Sequence, residues 1–364
     1  MQLVKYGTGL PEFMGTLKTI EDERKLGADW IVSANDIKVS EADGHYEITA
    51  PHRNGSNTMY VGKATVFAEN QLGGYLGIPP TYMERIRSEP ALKAYNMNYW
   101  LKTRTADKRL VRTITNPQTK DKEVIAFLSD RYRPIDNYDV MEKVLQVLSD
   151  MKIQVKMHHV YATDRMLSGL FYDTTQTYKL PGNDKDVYWP GIQISNSEVG
   201  AAAFTVRMSL VRLVCTNGMV YGPDYRKIHI GHRSDGDIWS NQTKIAEVNL
   251  TLSQFTDIVK RAFDRDMIDD ALMQIAETKK KPIKATWVNL TAKEFHLSDE
   301  ENKAIWTRIE ENNRYEYIQA VTAHANTMLE EGSNPERASA LQELAWDLVQ
   351  DAPWIRIEKK SEEA

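Results

Sequence analysis

The feature that most constrains the fold is the stretch from residue 122 to 148, which predicts one buried strand, one sharp turn and one helix. Residues 124–128 are apolar and partly β-branched, as expected of a core strand. The turn ends at Pro134, which lacks a backbone N–H and disfavours helix at the residue before it. Apolar residues then repeat at helical spacing, and we expect the Asp136 side chain to cap this helix. A polar, basic and aromatic loop held between two rigid elements is typical of binding sites.

Composition and charge limit the classes of protein to which this chain can belong. The chain has 364 residues with 41% hydrophobic and 27% charged residues, which is typical of a soluble globular protein with two domains or one large domain. The net charge of −5 indicates no overall attraction to nucleic acid or membranes, although a local basic face is compatible with it. The only cysteine, Cys215, rules out an intramolecular disulfide and favours a reducing compartment. No apolar run suits a signal peptide or a membrane span, so we expect a cytoplasmic protein that does not bind membranes.

The hydrophobic pattern predicts an α+β fold: an antiparallel β meander packed with helices, followed by a mainly helical C-terminal third. We expect a loose N-terminal arm at residues 1–30, an α+β core at 31–242, a helical region at 243–354 and a disordered tail at 355–364. About four strands alternate in polarity between residues 153 and 214, of which 201–214 is the longest. One long helix is predicted from residue 243 to 277, and capping boxes are predicted at Thr291…Glu294 and Ser298…Glu301.

No catalytic constellation is visible. The run 229–232 (HIGH) spells the nucleotide-binding signature of class I aminoacyl-tRNA synthetases, but it follows a β meander instead of opening a helix after a first strand, so we assign no catalysis to it. The neighbours His158 and His159 point to opposite faces of a strand and lack further ligands at metal-binding spacing, so we predict exposed histidines. We therefore expect no metal, no cofactor and no enzyme activity, with an enzyme of unknown type as an open alternative.

Basic residues accumulate on the predicted strands and the central turn, with Trp100, Tyr132 and Tyr138 interleaved among them. A positive groove with aromatic platforms is what single-stranded nucleic acid requires, because charge binds the backbone and each stacked base contributes roughly 1–3 kcal/mol. The alternative is that these residues form solvated strand faces and structural ion pairs with Asp130, Asp136 and Asp139. The set consists of Lys102, Arg104, Arg109, Arg112, Arg131, Arg133 and Arg207.

Four segments, in this order, resemble the phage- and plasmid-borne family filed under domain of unknown function 932: residues 72–85 (LGGYLGIPPTYMER), 126–137 (AFLSDRYRPIDN), 194–200 (ISNSEVG) and 212–218 (RLVCTNG). The resemblance spans roughly residues 60–330. It implies a mobile-element origin and a location in the host cytoplasm. It implies no settled activity and no established catalytic residues. At the level of fold alone, a helix beside a β meander with a basic face is also similar to phage single-strand annealing proteins of the Red-beta and Erf classes.

These observations predict a phage or plasmid DNA-metabolism protein that binds single-stranded DNA, with strand annealing in recombination as its candidate activity and no nucleotide cofactor. Arg131, Tyr132 and Arg133 would contact the strand, helped by the other basic residues of the set. The alternative is a protein-binding module that uses the acidic helical third to act on a host replication or defence protein. A homo-oligomer is expected in either case, because amphipathic helices and edge strands both offer surfaces.

Overall fold

The computed structural model describes residues 3–6, 10–51, 57–104, 107–116, 119–213, 218–227 and 241–363. Cys215 and the run 229–232, both considered above, lie outside these residues. No described helix combines the length and the apolar composition that are needed to cross a bilayer.

Thirteen strands and twelve helices are numbered here along the described chain. The strands are β1 Leu3–Tyr6, β2 Gly27–Ser33, β3 Ile37–Val39, β4 Tyr46–Pro51, β5 Asn57–Ala64, β6 Lys108–Thr115, β7 Lys122–Ser129, β8 Val155–Ala162, β9 Leu167–Asp173, β10 Tyr178–Leu180, β11 Asn183–Asn196, β12 Phe204–Arg212 and β13 Gly218–Lys227. The helices are α1 Leu10–Leu26, α2 Val66–Leu76, α3 Pro80–Ile86, α4 Pro90–Leu101, α5 Asn137–Asp150, α6 Asn241–Ala262, α7 Arg265–Glu277, α8 Val288–Glu294, α9 Asp299–Trp306, α10 Arg314–Glu331, α11 Pro335–Asp347 and α12 Ala352–Glu362.

The strands form two sheets. The six-stranded sheet has the order β2-β6-β7-β5-β4-β3 and is antiparallel except where β5 pairs with β7. The seven-stranded sheet has the order β1-β8-β9-β11-β12-β13, with β10 added on β11, and all of its pairs are antiparallel. The α+β prediction is confirmed, since helices α6–α12 follow the two sheets as a mainly helical C-terminal region.

The strand–turn–helix unit predicted at residues 122–148 is present as β7, a turn and α5. Helix α5 buries Val140, Val144 and Leu148 in the core of the seven-stranded sheet, as their spacing predicts. The predicted cap is wrong in its detail. Asp136 occupies the N-cap position, but its side chain makes no capping hydrogen bond.

The meander prediction is confirmed, with different strand lengths. The longest strand is β11, with 14 residues, whereas β12 has nine and begins at Phe204. The apolar members of β12 that were predicted to share a face, Phe204, Val206, Met208 and Leu210, are all buried. His158 and His159 are also buried instead of exposed, and their Nδ1 atoms lie 2.9 Å apart. The pairing of β8 with β9 shifts in register between Met157 and His159, and the two imidazoles contact each other, so the expectation that they point to opposite faces is wrong.

The helical region contains a helix break that the hydrophobic periodicity of the sequence does not indicate. The predicted long helix is two helices, α6 and α7, because Asp264 accepts hydrogen bonds from the backbone of Asp266 and Met267 and so begins α7. The capping box at Ser298 and Glu301 is confirmed. The one at Thr291 is wrong, because Thr291 lies within α8 and its hydroxyl donates to the Val288 carbonyl.

Both predicted terminal segments contain packed secondary structure. In the segment expected to be a loose arm, α1 buries Leu17 and Ile20, and β2 pairs with β6 along its length. In the segment expected to be disordered, α12 continues to Glu362, buries Ile357 and places Lys360 2.7 Å from Glu294. Each segment packs through only a few apolar residues. The mostly polar composition of both segments therefore gave no indication of their secondary structure.

The two sheets meet at a contact region that we call the seam. It is an apolar cluster formed by Leu110, Ala126 and Leu128 of the six-stranded sheet, Tyr132 of the central turn and Val199 of the β11–β12 connection. Its members come from segments up to 89 residues apart (199 − 110), so the seam joins the two halves of the fold.

Candidate nucleic-acid interface

Tyr132, predicted to stack on bases, is a seam residue. Only 7% of it is exposed, and its hydroxyl donates a 2.8 Å hydrogen bond to the Ser197 carbonyl. Burial raises the pKa of Tyr132, opposed by Arg112. The ring is therefore packed inside the protein, and the expectation that it is an accessible platform is wrong.

Arg112 is also buried, and its cation is used within the fold. Its guanidinium donates to the Asp29 carboxylate at 2.8 Å, to the Asp136 carboxylate at 2.9 Å and to the Glu198 carbonyl at 2.9 Å. Burial acts to lower the pKa of Arg112, but the neighbouring carboxylates hold it above its ordinary value. This is the structural ion-pair alternative that the sequence left open, and it removes Arg112 from a DNA-binding face.

Glu198, which the sequence did not single out as a site residue, performs the capping expected of Asp136. Its Oε1 accepts a 2.5 Å hydrogen bond from the Asn137 amide, the first residue of α5. Burial raises the pKa of Glu198 to about 7, Arg112 opposes the rise and Asp136 adds to it. The signal available in the sequence was that Glu198 lies in residues 194–200, a segment that carries the family resemblance.

Arg112, Asp136 and Glu198 border an open cleft of about 390 Å³ between α1, β2, β6 and the seam. Its charged lining is mixed, with Glu23, Asp29, Asp136 and Glu198 facing Arg24 and Arg112. Among the described residues no three His, Cys, Asp or Glu side chains come together to hold a metal ion. With Glu123, Asp164 and Arg165 included, acidic side chains of the lining outnumber basic ones, so the cleft is not a positive groove.

The remaining predicted cations of the sheets and turn are mostly engaged. Arg207 forms an ion pair with Glu343 of α11. Arg109 lies over the Tyr75 ring, 4.3 Å from its centroid, and donates to the Phe127 carbonyl at 3.3 Å. Burial lowers the pKa of Arg109.

Arg131 and Arg133 are half-buried at the central turn. Arg133 makes long hydrogen bonds of 3.4 Å to the carbonyls of Asp130 and Tyr132. Tyr138, the third aromatic residue considered, is covered by Arg24 at 5.4 Å. The turn thus presents two partly accessible cations, while Tyr132 beside them is buried and Tyr138 is half-buried under Arg24.

Lys102 and Arg104 are different, since both are exposed where α4 ends. Three aromatic side chains of α4 stand beside them: Tyr95 is 68% exposed, Tyr99 57% and Trp100 43%. We call these five residues the α4 surface. The Tyr99 and Trp100 rings meet edge to face with centroids 5.1 Å apart, and Arg104 lies 5.3 Å from the Tyr75 centroid.

The charge of the α4 surface is uniform. Between residues 90 and 104 there is no Asp or Glu. Lys93, the third cation of this stretch, is buried and paired with Glu69 at 2.8 Å, so it anchors the helix instead of widening the surface. The sequence analysis expects Lys102 and Arg104 on a strand, which is wrong because they follow helix α4, and it does not single out Tyr95 and Tyr99. Their spacing of four residues, which places both on one side of a helix, was the available signal.

One family of proteins is similar to this chain. A family model described as a domain of unknown function, DUF932, matches residues 124–350. Neither the curated proteins nor the solved structures contain a significant match. The matched residues run from β7 through the central turn, the seven-stranded sheet and most of the helical region. Because this match covers more than half of the chain, the protein belongs to the DUF932 family of domains of unknown function.

Proposed function

We propose that this protein binds single-stranded DNA on the α4 surface. The observation that carries the proposal is the presence of three exposed aromatic rings beside two exposed cations, in a stretch without any acidic residue. Among the residues considered from sequence, Lys102 and Arg104 keep the role expected of them, and Tyr95, Tyr99 and Trp100 replace Tyr132 as the stacking platforms.

The arrangement suits an unpaired strand better than a duplex. Tyr95 and Tyr99 are one helical turn apart on the same side of α4, so consecutive rings can accept consecutive bases. Lys102 and Arg104 follow at the end of the helix, where they meet the phosphate backbone that such bases carry. Stacking on an aromatic side chain contributes roughly 1–3 kcal/mol per base and requires bases that are not already stacked in a duplex.

The wider role proposed here is strand annealing in the DNA metabolism of a phage or plasmid, in the host cytoplasm. The support for it is the resemblance of residues 72–85, 126–137, 194–200 and 212–218 to a family carried by such elements. A protein that holds single strands by their backbone and by one face of their bases leaves base edges free to pair, which is what annealing requires.

The test is fluorescence anisotropy of a labelled oligothymidine at low and at moderate salt. We expect binding that weakens with salt. The double variant Tyr95→Ala/Tyr99→Ala should lose the stacking of two bases and so weaken the affinity on the order of 30-fold to 20,000-fold. Met273→Ala, which truncates a side chain that is 50% exposed on α7, is the control and should bind like the wild type. No binding at low salt, or equal binding by the Tyr95→Ala/Tyr99→Ala variant, contradicts the proposal.

A second candidate function rests on Leu92. It is 45% exposed and shares the side of α4 that carries Tyr95 and Tyr99, giving a short apolar stripe that would also suit a partner protein of the host. Lys102→Ala/Arg104→Ala separates the two functions. It weakens DNA binding, whereas it leaves docking of an apolar helix on the stripe unchanged.

A further inference from the structure

Of the two exposed cations on the α4 surface, only Arg104 is held by another side chain. The Lys102 ammonium makes no hydrogen bond or ion pair with the residues that the structure describes. The Arg104 guanidinium, in contrast, lies over the Tyr75 ring, 5.3 Å from its centroid. Within the described chain this guanidinium also makes no hydrogen bond or ion pair, so its N–H groups stay available to a ligand.

Tyr75 is a half-buried residue of α2, and three contacts fix it in place. Its ring packs against the apolar cluster of the six-stranded sheet, and it also contacts Arg109 at 4.3 Å. Its hydroxyl donates a 2.6 Å hydrogen bond to the Asp107 carboxylate. Burial raises the pKa of Tyr75 to about 12, and the hydrogen bond to Asp107 adds to the rise, so the hydroxyl remains a donor at neutral pH. The ring is therefore a fixed support for the side chain that lies on it.

We propose that Tyr75 is a positioning residue of the DNA-binding surface, whose ring holds the Arg104 guanidinium in place before the strand binds. The inference rests on the function proposed above for the α4 surface. An exposed arginine samples many rotamers and loses this freedom when it binds a phosphate. Because Tyr75 restricts Arg104 in advance, less conformational entropy is lost on binding and the affinity is higher.

The chemistry of the two side chains suits this role. A guanidinium is planar and more weakly hydrated than an ammonium, so it can lie over an aromatic ring while the N–H groups at its edge donate to a phosphate. Asp107 is the nearby anion that could compete for Arg104. Its carboxylate accepts from the Tyr75 hydroxyl instead, and its backbone N–H donates to the Arg104 carbonyl at 3.2 Å. Asp107 thus fixes the support and the backbone of Arg104 without neutralising the guanidinium.

A double-mutant cycle, measured by anisotropy of the labelled oligothymidine, tests the proposal. Tyr75→Leu should weaken the affinity roughly two- to fivefold, the range of a cation–π contact at an exposed site. In an Arg104→Ala background the same substitution should have no further effect, because the residue that Tyr75 positions is gone. Tyr178→Leu, which removes a half-buried tyrosine packed on the seven-stranded sheet, is the matched control and should bind like the wild type. An equal loss in both backgrounds, or no loss in either, overturns the proposal.

The conservative variant Tyr75→Phe separates the ring from the hydroxyl. It keeps the ring under Arg104 and removes only the donor to Asp107. We expect it to bind like the wild type even if urea denaturation shows a loss of stability. A phenylalanine variant that binds as weakly as Tyr75→Leu would show that the ring contact with Arg104 is not the cause, and would overturn the proposal.

Nuclear magnetic relaxation of the free protein distinguishes failure of this inference from failure of the proposed function. The order parameter of the Arg104 Nε–H should exceed that of Arg85, an exposed arginine of α3 without a partner among the described residues. In Tyr75→Leu it should fall to the level of Arg85. An Arg104 that is as mobile as Arg85 in the wild type overturns the inference even if DNA binds. A wild type that holds Arg104 rigid but binds no DNA contradicts the proposed function, and the inference that rests on it falls with it.

Discussion

The guanidinium Nη2 of Arg112 donates a 2.9 Å hydrogen bond to the carboxylate of Asp136. This hydrogen bond joins strand β6 to the residue that precedes α5. The other nitrogens of Arg112 reach Asp29 of β2 and the Glu198 carbonyl of the β11–β12 connection. One buried cation therefore links four separate segments across the seam. This explains why Arg112, which the sequence analysis expects on a DNA-binding face, lies inside the fold.

The first prediction concerns that link. Arg112→Ala should lower the free energy of unfolding by about 3 kcal/mol, because it removes three hydrogen bonds of a buried guanidinium, two of them to carboxylates, and of these carboxylates Asp136 keeps a second cation, Arg24 at 3.4 Å. Urea denaturation measures the loss, and Arg104→Ala, which removes an exposed arginine, serves as the control and should leave stability unchanged. The folded Arg112→Ala protein should bind single-stranded DNA with unchanged affinity. A selective loss of DNA affinity at full stability would return Arg112 to the interface.

The second prediction concerns the pH dependence of stability through Glu198. Its pKa is about 7 in the folded protein against 4.5 for an ordinary glutamate. Between these values the folded state holds a proton that the unfolded state has lost, so this group's contribution to stability falls as pH rises from about 4.5 to 7. Glu198→Gln keeps an oxygen that accepts from the Asn137 amide but does not titrate. Its melting temperature relative to that of the wild type should therefore rise across this range, and a constant difference would show that Glu198 does not titrate there.

The third prediction separates packing from recognition at Tyr132. Tyr132→Phe removes the hydroxyl that donates to the Ser197 carbonyl and should destabilise the protein by about 1–2 kcal/mol, since a buried acceptor loses its donor. Chemical denaturation gives the stability and anisotropy gives the DNA affinity. We expect the affinity to be unchanged. If the phenylalanine variant instead kept its stability and bound DNA more weakly, Tyr132 would be a contact residue after all.

The fourth prediction concerns the cations of the α4 surface. Lys102→Ala/Arg104→Ala should flatten the dependence of log affinity on log salt by about 0.7 for each phosphate that the protein no longer neutralises, or about 1.4 in all. The comparison variant is Lys359→Ala/Lys360→Ala, which removes two exposed cations on α12. An equal change of slope in both variants would mean that general charge, and not the α4 surface, attracts the strand.

Much of the fold follows from local sequence. The short apolar run of β7, the proline after it and the helical spacing of Val140, Val144 and Leu148 are local properties, and each produced the predicted element. The alternation of β12 and the capping box of Ser298 and Glu301 are local in the same sense. The break between α6 and α7 was not predicted, because the apolar period continues across Asp264 while the capping hydrogen bonds do not show in hydropathy.

The sequence by itself thus determined the elements that have a local signal, such as β7, α5 and the capping box of Ser298, and it showed that basic and aromatic side chains are concentrated between residues 100 and 133. Only the tertiary structure decided which of them face solvent. Arg112 and Tyr132 became buried because their partners, Asp29, Glu198 and Ser197, come from segments 65 to 86 residues away, and no pattern near either residue indicates such contacts. Lys102 and Arg104 stayed exposed because α4 buries its other side against the six-stranded sheet. Charge and aromatic content are local, whereas exposure depends on contacts between distant parts of the chain.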